Sequence, residues 1–154
     1  MCQTIAKWVI GAAVFSAVMA GPVMAASTGG SGGLSTASGS IPTSAKKGET
    51  INMALTVRLK NPWPAEAVIE VTPRHKAAGG FSFTKSGQTS RQRIRPGSTT
   101  ASFNWTARVD ATLCSSADIW YDVKVRIVKP ALDLPGLIRN DRYSTNKIRL
   151  TVRK

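Results

Sequence analysis

An all-β sandwich of about seven antiparallel strands is predicted for this 154-residue chain by three observations. Apolar residues alternate with polar ones at period two from Lys46 onward, the pattern of strands with one face on a core and one in water. Turn residues interrupt the alternation at Asn61-Pro62-Trp63-Pro64, Gly79-Gly80 and Pro96-Gly97. No convincing amphipathic helical pattern competes with it.

Glu49 to Lys60 is the clearest strand: Ile51, Met53, Leu55, Val57 and Leu59 fall on one face, and Asn52, Ala54, Thr56, Arg58 and Lys60 on the other. Ala67 to Thr72 places Ala67, Ile69 and Val71 inward, and a short third strand carries Phe81 and Phe83. Residues 89–95 form a weaker strand with Ile94 as its one large apolar group. Ala101, Phe103, Trp105 and Ala107 then alternate with Ser102, Asn104, Thr106 and Arg108. Ile119, Tyr121, Val123, Val125 and Ile127 stand opposite Trp120, Asp122, Lys124 and Arg126, and Ile148, Leu150 and Val152 close the series. Short strands at this spacing, with turns between them, argue for an immunoglobulin-like antiparallel β-sandwich over residues 46–154. The connection from Lys129 to Ser144, with Pro130, Pro135 and Gly136, is long for a hairpin. It is expected to cross between sheets, to hold a short helical turn around Leu137, and to offer partner contacts.

Upstream of this domain, Lys7 precedes an unbroken apolar run from Trp8 to Ala20, a Gly21-Pro22 break and Val23-Met24-Ala25. A positive end, a short apolar stretch and small residues at the cut are the features of a secretory signal peptide over residues 1–25, with cleavage before Ala26. The run is shorter than the roughly 20 residues that span a bilayer, so no transmembrane segment is expected after cleavage. Residues 26–45 are dominated by Gly, Ser and Thr and read as a flexible linker. Leu34 and Ile41 alone do not supply the alternating apolar groups that a donor strand needs. The mature protein is therefore expected to be exported, in a periplasmic or extracellular setting.

Charge narrows the choice of partner. The chain carries 21 Lys and Arg against 8 Asp and Glu, and the leader removes only Lys7 of these. Such a field attracts anionic envelope polymers, acidic glycans, lipid headgroups, an acidic protein partner and extracellular nucleic acid, although it also serves solubility alone or adaptation to an acidic medium. The sharpest feature is Arg91, Arg93 and Arg95, which on one strand face would stand roughly 6.6 Å apart. That ladder suits successive phosphates or carboxylates, with Arg74, Lys76 and Lys85 as neighbours. It equally suits an edge strand that uses charge to avoid pairing. Lys124, Arg126, Arg149 and Arg153 add candidate anion-binding positions on other strands. Stacking on nucleic-acid bases would need exposed aromatics, and only Trp63 and Trp120 lie off the predicted core.

Few residues offer chemistry. Once Cys2 leaves with the leader, Cys114 is the remaining thiol; it is read as a buried small group, an intermolecular disulfide linking a homo-oligomer, or a reactive site. One histidine, His75, cannot complete a blue-copper or structural zinc set, so no cofactor or metal is expected. Asn104-Trp105-Thr106 matches a glycosylation acceptor but lies within a predicted strand, and is read as chance.

Residues 48–61 (GETINMALTVRLKN), 96–105 (PGSTTASFNW) and 145–152 (TNKIRLTV) give the chain from Lys47 to Lys154 a pattern that resembles bacterial cell-adhesion-related (CARDB-like) immunoglobulin-like modules. The Cys114 loop and the 129–144 connection depart from the usual short links. The resemblance implies a non-catalytic spacer or binding unit of an exported protein and carries over no functional residues. His75, Cys114 and Arg126, with Thr112-Leu113-Cys114, look like the elements of a sortase-type transpeptidase, in which a cysteine attacks a peptide carbonyl and an arginine supports the oxyanion. The chain is short for that barrel, and the motif is incomplete. The expectation is therefore a non-enzymatic binding or assembly module of the cell envelope or surface, with adhesion to an acidic partner through basic strand faces. A subunit of a pilus or secretion apparatus and a Cys114-dependent enzyme are the alternatives.

Overall fold

The computed structural model describes residues 25–60, 66–77, 81–83, 89–110, 116–129 and 140–153. Eleven strands run through them: β1 (Ala25–Ser31), β2 (Ser35–Pro42), β3 (Ser44–Lys46), β4 (Thr50–Leu59), β5 (Glu66–Ala77), β6 (Phe81–Phe83), β7 (Ser90–Ile94), β8 (Thr100–Val109), β9 (Ser116–Lys129), β10 (Asn140–Ser144) and β11 (Ile148–Arg153). They form two sheets, in the order β1-β2-β4-β8-β6 and β3-β11-β9-β5-β7, with β10 on β9 beside β11. Every pairing is antiparallel except β3 with β11. The architecture is an immunoglobulin-like β-sandwich.

The core lies where the alternation points. Met53, Leu55 and Val57 of β4 face Ile69 and Val71 of β5 and Val123 and Val125 of β9 across the sandwich, each at most 1% exposed. Phe103, Trp105 and Tyr121 stack in series, with ring centroids 5.8 and 5.1 Å apart. Burying an aliphatic side chain of this size contributes about 1.5–3 kcal/mol, so packing between these strands holds the two sheets together.

The segment expected as a flexible linker is instead built into the sandwich. β2 pairs with β4 from Ser35↔Leu59 to Ser40↔Ala54, and Leu34, Ala37 and Ile41 belong to the core. β1 covers the other edge of β2 from Thr36 to Pro42. The chain then changes sheets at Pro42-Thr43, and β3 pairs in parallel with β11, supported by the Thr151 amide donating to the Thr43 carbonyl at 2.9 Å. Period two is present in β2, but three of its four inward residues, Ser35, Ala37 and Gly39, are too small to register as a hydrophobic strand, and only Ile41 is large. Gly39 is required there: a Cβ would collide with the Ala54 carbonyl oxygen of the paired strand.

Two further expectations are corrected. The connection after β9 does not cross between sheets, because β10 returns along β9 itself, pairing Asn140 with Arg126 through Ser144 with Asp122. The helical turn expected near Leu137 lies outside the described residues. β5 also runs past Thr72 to Ala77, through Pro73. A proline is tolerated because β7 pairs only with residues 67–71, so at Pro73 the edge of β5 away from β9 needs no donor.

Candidate anion-binding face

The outer face of the second sheet is set by register. On β5 the even residues point away from the core, on β9 likewise, and β7 and β10 extend the same surface on either side. One row across the strands reads Arg93, Val68, Arg126, Asn140; the next reads Arg91, Glu70, Lys124, Arg142. A third sets Thr72 beside Asp122 and Ser144, with Thr89 bonded to Thr72 through their hydroxyls at 2.8 Å. Arg74 and Trp120 follow, then Lys76, Asp118 and Arg149.

Four of the chain's eight carboxylates, Glu66, Glu70, Asp118 and Asp122, lie on this one face, so its cations are not equally available. Arg91 is hydrogen-bonded to Glu70, and Arg93 forms an ion pair with Glu66 at 3.5 Å. Arg74 Nε donates to Asp122 Oδ2 at 3.0 Å, and Ser144 Oγ to Oδ1 at 2.7 Å. The Arg91 hydrogen bond, with the fields of Lys124 and Arg126, holds the Glu70 carboxyl below its ordinary 4.5. Burial would raise Asp122, but Ser144 and Arg74 outweigh it and keep its carboxyl below 3.8. Both carboxylates stay charged at neutral pH and neutralise the arginines beside them.

The β9–β10 edge differs. Lys124 and Arg142 are direct cross-strand partners, and Arg126 lies one step diagonally from Arg142. Like charges placed directly opposite each other are destabilising in a sheet. Lys124 has only a 3.9 Å approach to Glu70, and Arg126 and Arg142 have no ion-pair partner among the described residues. Val68 is 6% exposed although it points outward, and its register partners on the two neighbouring strands are Arg93 and Arg126. Beside this cluster a groove of about 220 Å³ runs between Lys124 and Arg142 on one side and Thr72, Thr89 and Asp122 on the other.

The remaining expected positions are scattered. Arg91 and Arg93 share the outer face of β7, but the strand ends at Ile94, and Arg95 enters the turn closed by the Ser98 amide on the Arg95 carbonyl at 3.1 Å. The three-arginine ladder is thus a pair, already matched with glutamates, plus one turn residue. Arg149 Nε donates to Ser116 Oγ at 3.2 Å, and Arg153 bonds Ser44; both sit at the far end of the sheet. Asp118, the Arg149 partner, is eight residues from Arg126 along β9, about 26 Å at strand rise. Arg142 was missed because β10 follows a proline-rich stretch, and its five residues offer only Tyr143 as a large apolar group.

His75 and Arg126 do not come together. His75 lies opposite Ile119, seven positions along β5 from Val68, which faces Arg126, and the two point to opposite faces of the sheet. Cys114, Lys85 and Trp63 lie outside the described residues. Trp120 lies on the outer face under Lys147, whose Nζ is 5.1 Å from the ring centroid. Among the described residues no group of three or more His, Cys, Asp or Glu side chains could hold a metal ion.

No family model matches this sequence. No curated protein matches it either. Among solved structures, the chain is similar to one in the crystal structure of the complex formed between zinc 2-glycoprotein and prolactin inducible protein from human seminal plasma. The identity is 12% and the TM-score 0.49, over 80% of this chain and 97% of that one.

Proposed function

We propose that this chain is an exported, non-enzymatic binding or assembly module of the cell envelope or surface, and that it engages an acidic partner through the outer face of its second sheet. Export rests on the order of charge, apolar run and small residues before Ala26. Engagement rests on one observation: Lys124, Arg126 and Arg142 stand side by side, and among the described residues Arg126 and Arg142 have no ion-pair partner, whereas Arg74, Arg91 and Arg93 of the same face are matched with carboxylates. An arrangement that costs the free protein repulsion is relieved when an anion lies across it.

The test compares two equal removals of charge. Arg126→Gln/Arg142→Gln takes two cations from this face, and Arg58→Gln/Arg108→Gln takes two from the outer face of the first sheet, where they lie opposite Thr100 and Thr50 at the two ends of the β4–β8 pairing. Retention on a carboxylated polymer is followed across a salt series. The first variant is expected to lose both retention and salt dependence, and the second to stay near wild type. Equal losses would mean diffuse charge and no face-specific partner.

A further inference from the structure

We infer that the ligand of this face is an acidic polysaccharide, a chain of sugars carrying carboxylate or sulfate groups. The inference rests on the reading just proposed and goes further by naming the polymer. A carboxylate or sulfate fits the Lys124–Arg126–Arg142 cluster, whose members are spaced by one strand separation, about 4.8 Å, and one two-residue step, about 6.6 Å. One oxyanion group can therefore draw on all three long side chains.

What adjoins the cluster selects the polymer. The groove continues into two hydroxyls, Thr72 and Thr89, which bond each other yet keep further hydrogen-bonding capacity. Asp122 lines it as well, with acceptor capacity left beyond the bonds from Arg74, Ser144 and the Trp120 side chain. Hydroxyl and carboxylate groups a few ångströms from a cation cluster match a sugar ring, which presents its own hydroxyls beside its acidic substituent. At about 220 Å³ the groove is below the 300–1,000 Å³ of an enclosing small-molecule pocket, so it holds one unit of an extended chain.

A single-stranded nucleic acid fits the same features poorly. Base stacking needs an open aromatic, and Trp120, the one aromatic among the described residues of this face, is covered by Lys147.

Binding of the exported protein to four probes tests this: polygalacturonate for carboxylate, heparin for sulfate ester, inorganic polyphosphate for charge without hydroxyls, and oligo-dT for nucleic acid. Thr72→Val/Thr89→Val removes the hydroxyls at nearly constant volume and charge. It is expected to weaken at least one of the two glycans about tenfold, the loss of one to two hydrogen bonds, and to change polyphosphate binding by less than twofold. Which glycan responds identifies the oxyanion. Equal effects on glycan and polyphosphate, or tighter wild-type binding to oligo-dT than to either glycan, would overturn the polysaccharide while leaving the acidic-partner reading intact. Wild-type affinity for all four probes in Arg126→Gln/Arg142→Gln would overturn both. Thermal unfolding of each variant shows whether a loss comes from misfolding, and if the threonine pair unfolds, Thr89→Ser/Thr72→Ser, which restores the hydroxyls, must recover glycan binding.

Discussion

Tyr121 is fully buried between the sheets, and its hydroxyl has no hydrogen-bond partner among the described residues. Burial pushes its ionisation far above the usual 10, so it is a neutral phenol under all ordinary conditions. A buried hydroxyl that makes no bond forfeits its hydration without return. Tyr121→Phe is therefore expected to leave the urea midpoint unchanged or raise it, and a loss beyond about 1 kcal/mol would reveal a partner for the hydroxyl. The backbone at this position behaves oppositely. The Tyr121 amide donates to Thr145 Oγ1 at 3.0 Å, and the Thr145 amide donates back to the Tyr121 carbonyl at 2.9 Å, which ties the break between β10 and β11 to β9. Thr145→Val strips a buried amide of its acceptor and is expected to cost about 1–3 kcal/mol in the same measurement.

His75 gives stability a pH dependence of its own. Burial lowers its pKa below 6.5, so the unfolded chain binds a proton more readily than the folded one. Stability is complete above about pH 6.5 and falls as the pH drops from there toward the depressed folded value. Glu70 and Asp122, with lowered pKa values, stabilise the fold above their unfolded values of 4.5 and 3.8 and lose that contribution only in stronger acid, so the two windows separate. His75→Gln is expected to flatten the urea midpoint between pH 7.5 and 5 and to leave the loss below pH 4 in place. A slope that persists in the variant would assign the effect to another group.

At the scale of the element, the strands readable from sequence are those whose inward residues are large. β4, β8 and β9 alternate Ile, Leu, Met, Val, Phe, Trp and Tyr with polar groups, and the structure places them at the centre of the two sheets. β2 follows the same period with Ser, Ala and Gly inward, because the strand lies close against its neighbour, and composition then imitates a linker. β10 escaped because five residues after a proline-rich stretch carry too little pattern, and Arg142 escaped with it. The candidate face was half legible. Alternation alone places Lys124 and Arg126 on the outer face of β9, but only register shows that Glu66 and Glu70 neutralise the arginine pair of β7. Gly39→Ala tests the close approach of β2: its methyl group would force the β2 and β4 backbones apart, and a loss of about 1–3 kcal/mol in unfolding free energy is expected. An unchanged midpoint would mean that β2 can shift without disturbing the sheet.

For the whole molecule, the decisive question is where the folding unit begins. Alternation alone starts the domain at Lys46, whereas the sandwich draws Leu34, Ala37, Ile41 and Ala45 into its core from upstream of that boundary. Leu34 and Ile41 alone contribute roughly 3–6 kcal/mol of burial, against a total stability of about 5–15 kcal/mol for a domain. Removing residues 25–45 would also strip β4 of its partner on one side and leave a ten-residue strand with an open edge, which invites pairing between copies. β11 would lose its parallel neighbour, and with it the one pairing between the first part of the domain and its last strand. A chain of residues 46–154 is therefore expected to aggregate or to unfold without cooperativity, whereas residues 25–154 unfold in a single transition by both fluorescence and circular dichroism. The contrast also bears on binding, because Asp141 and Tyr143 of β10 are held by this hairpin: the Leu34 amide donates to Asp141 Oδ2 at 2.9 Å, and Ser35 Oγ bonds Tyr143 Oη at 2.9 Å. Arg142 lies between those two anchors, so the hairpin fixes the strand that presents an arginine with no ion-pair partner among the described residues. Ser35→Ala removes one of those bonds without altering the arginine or any charge, and is expected to weaken polyanion binding more than it lowers the unfolding midpoint. If both change in proportion, the hairpin acts on stability alone.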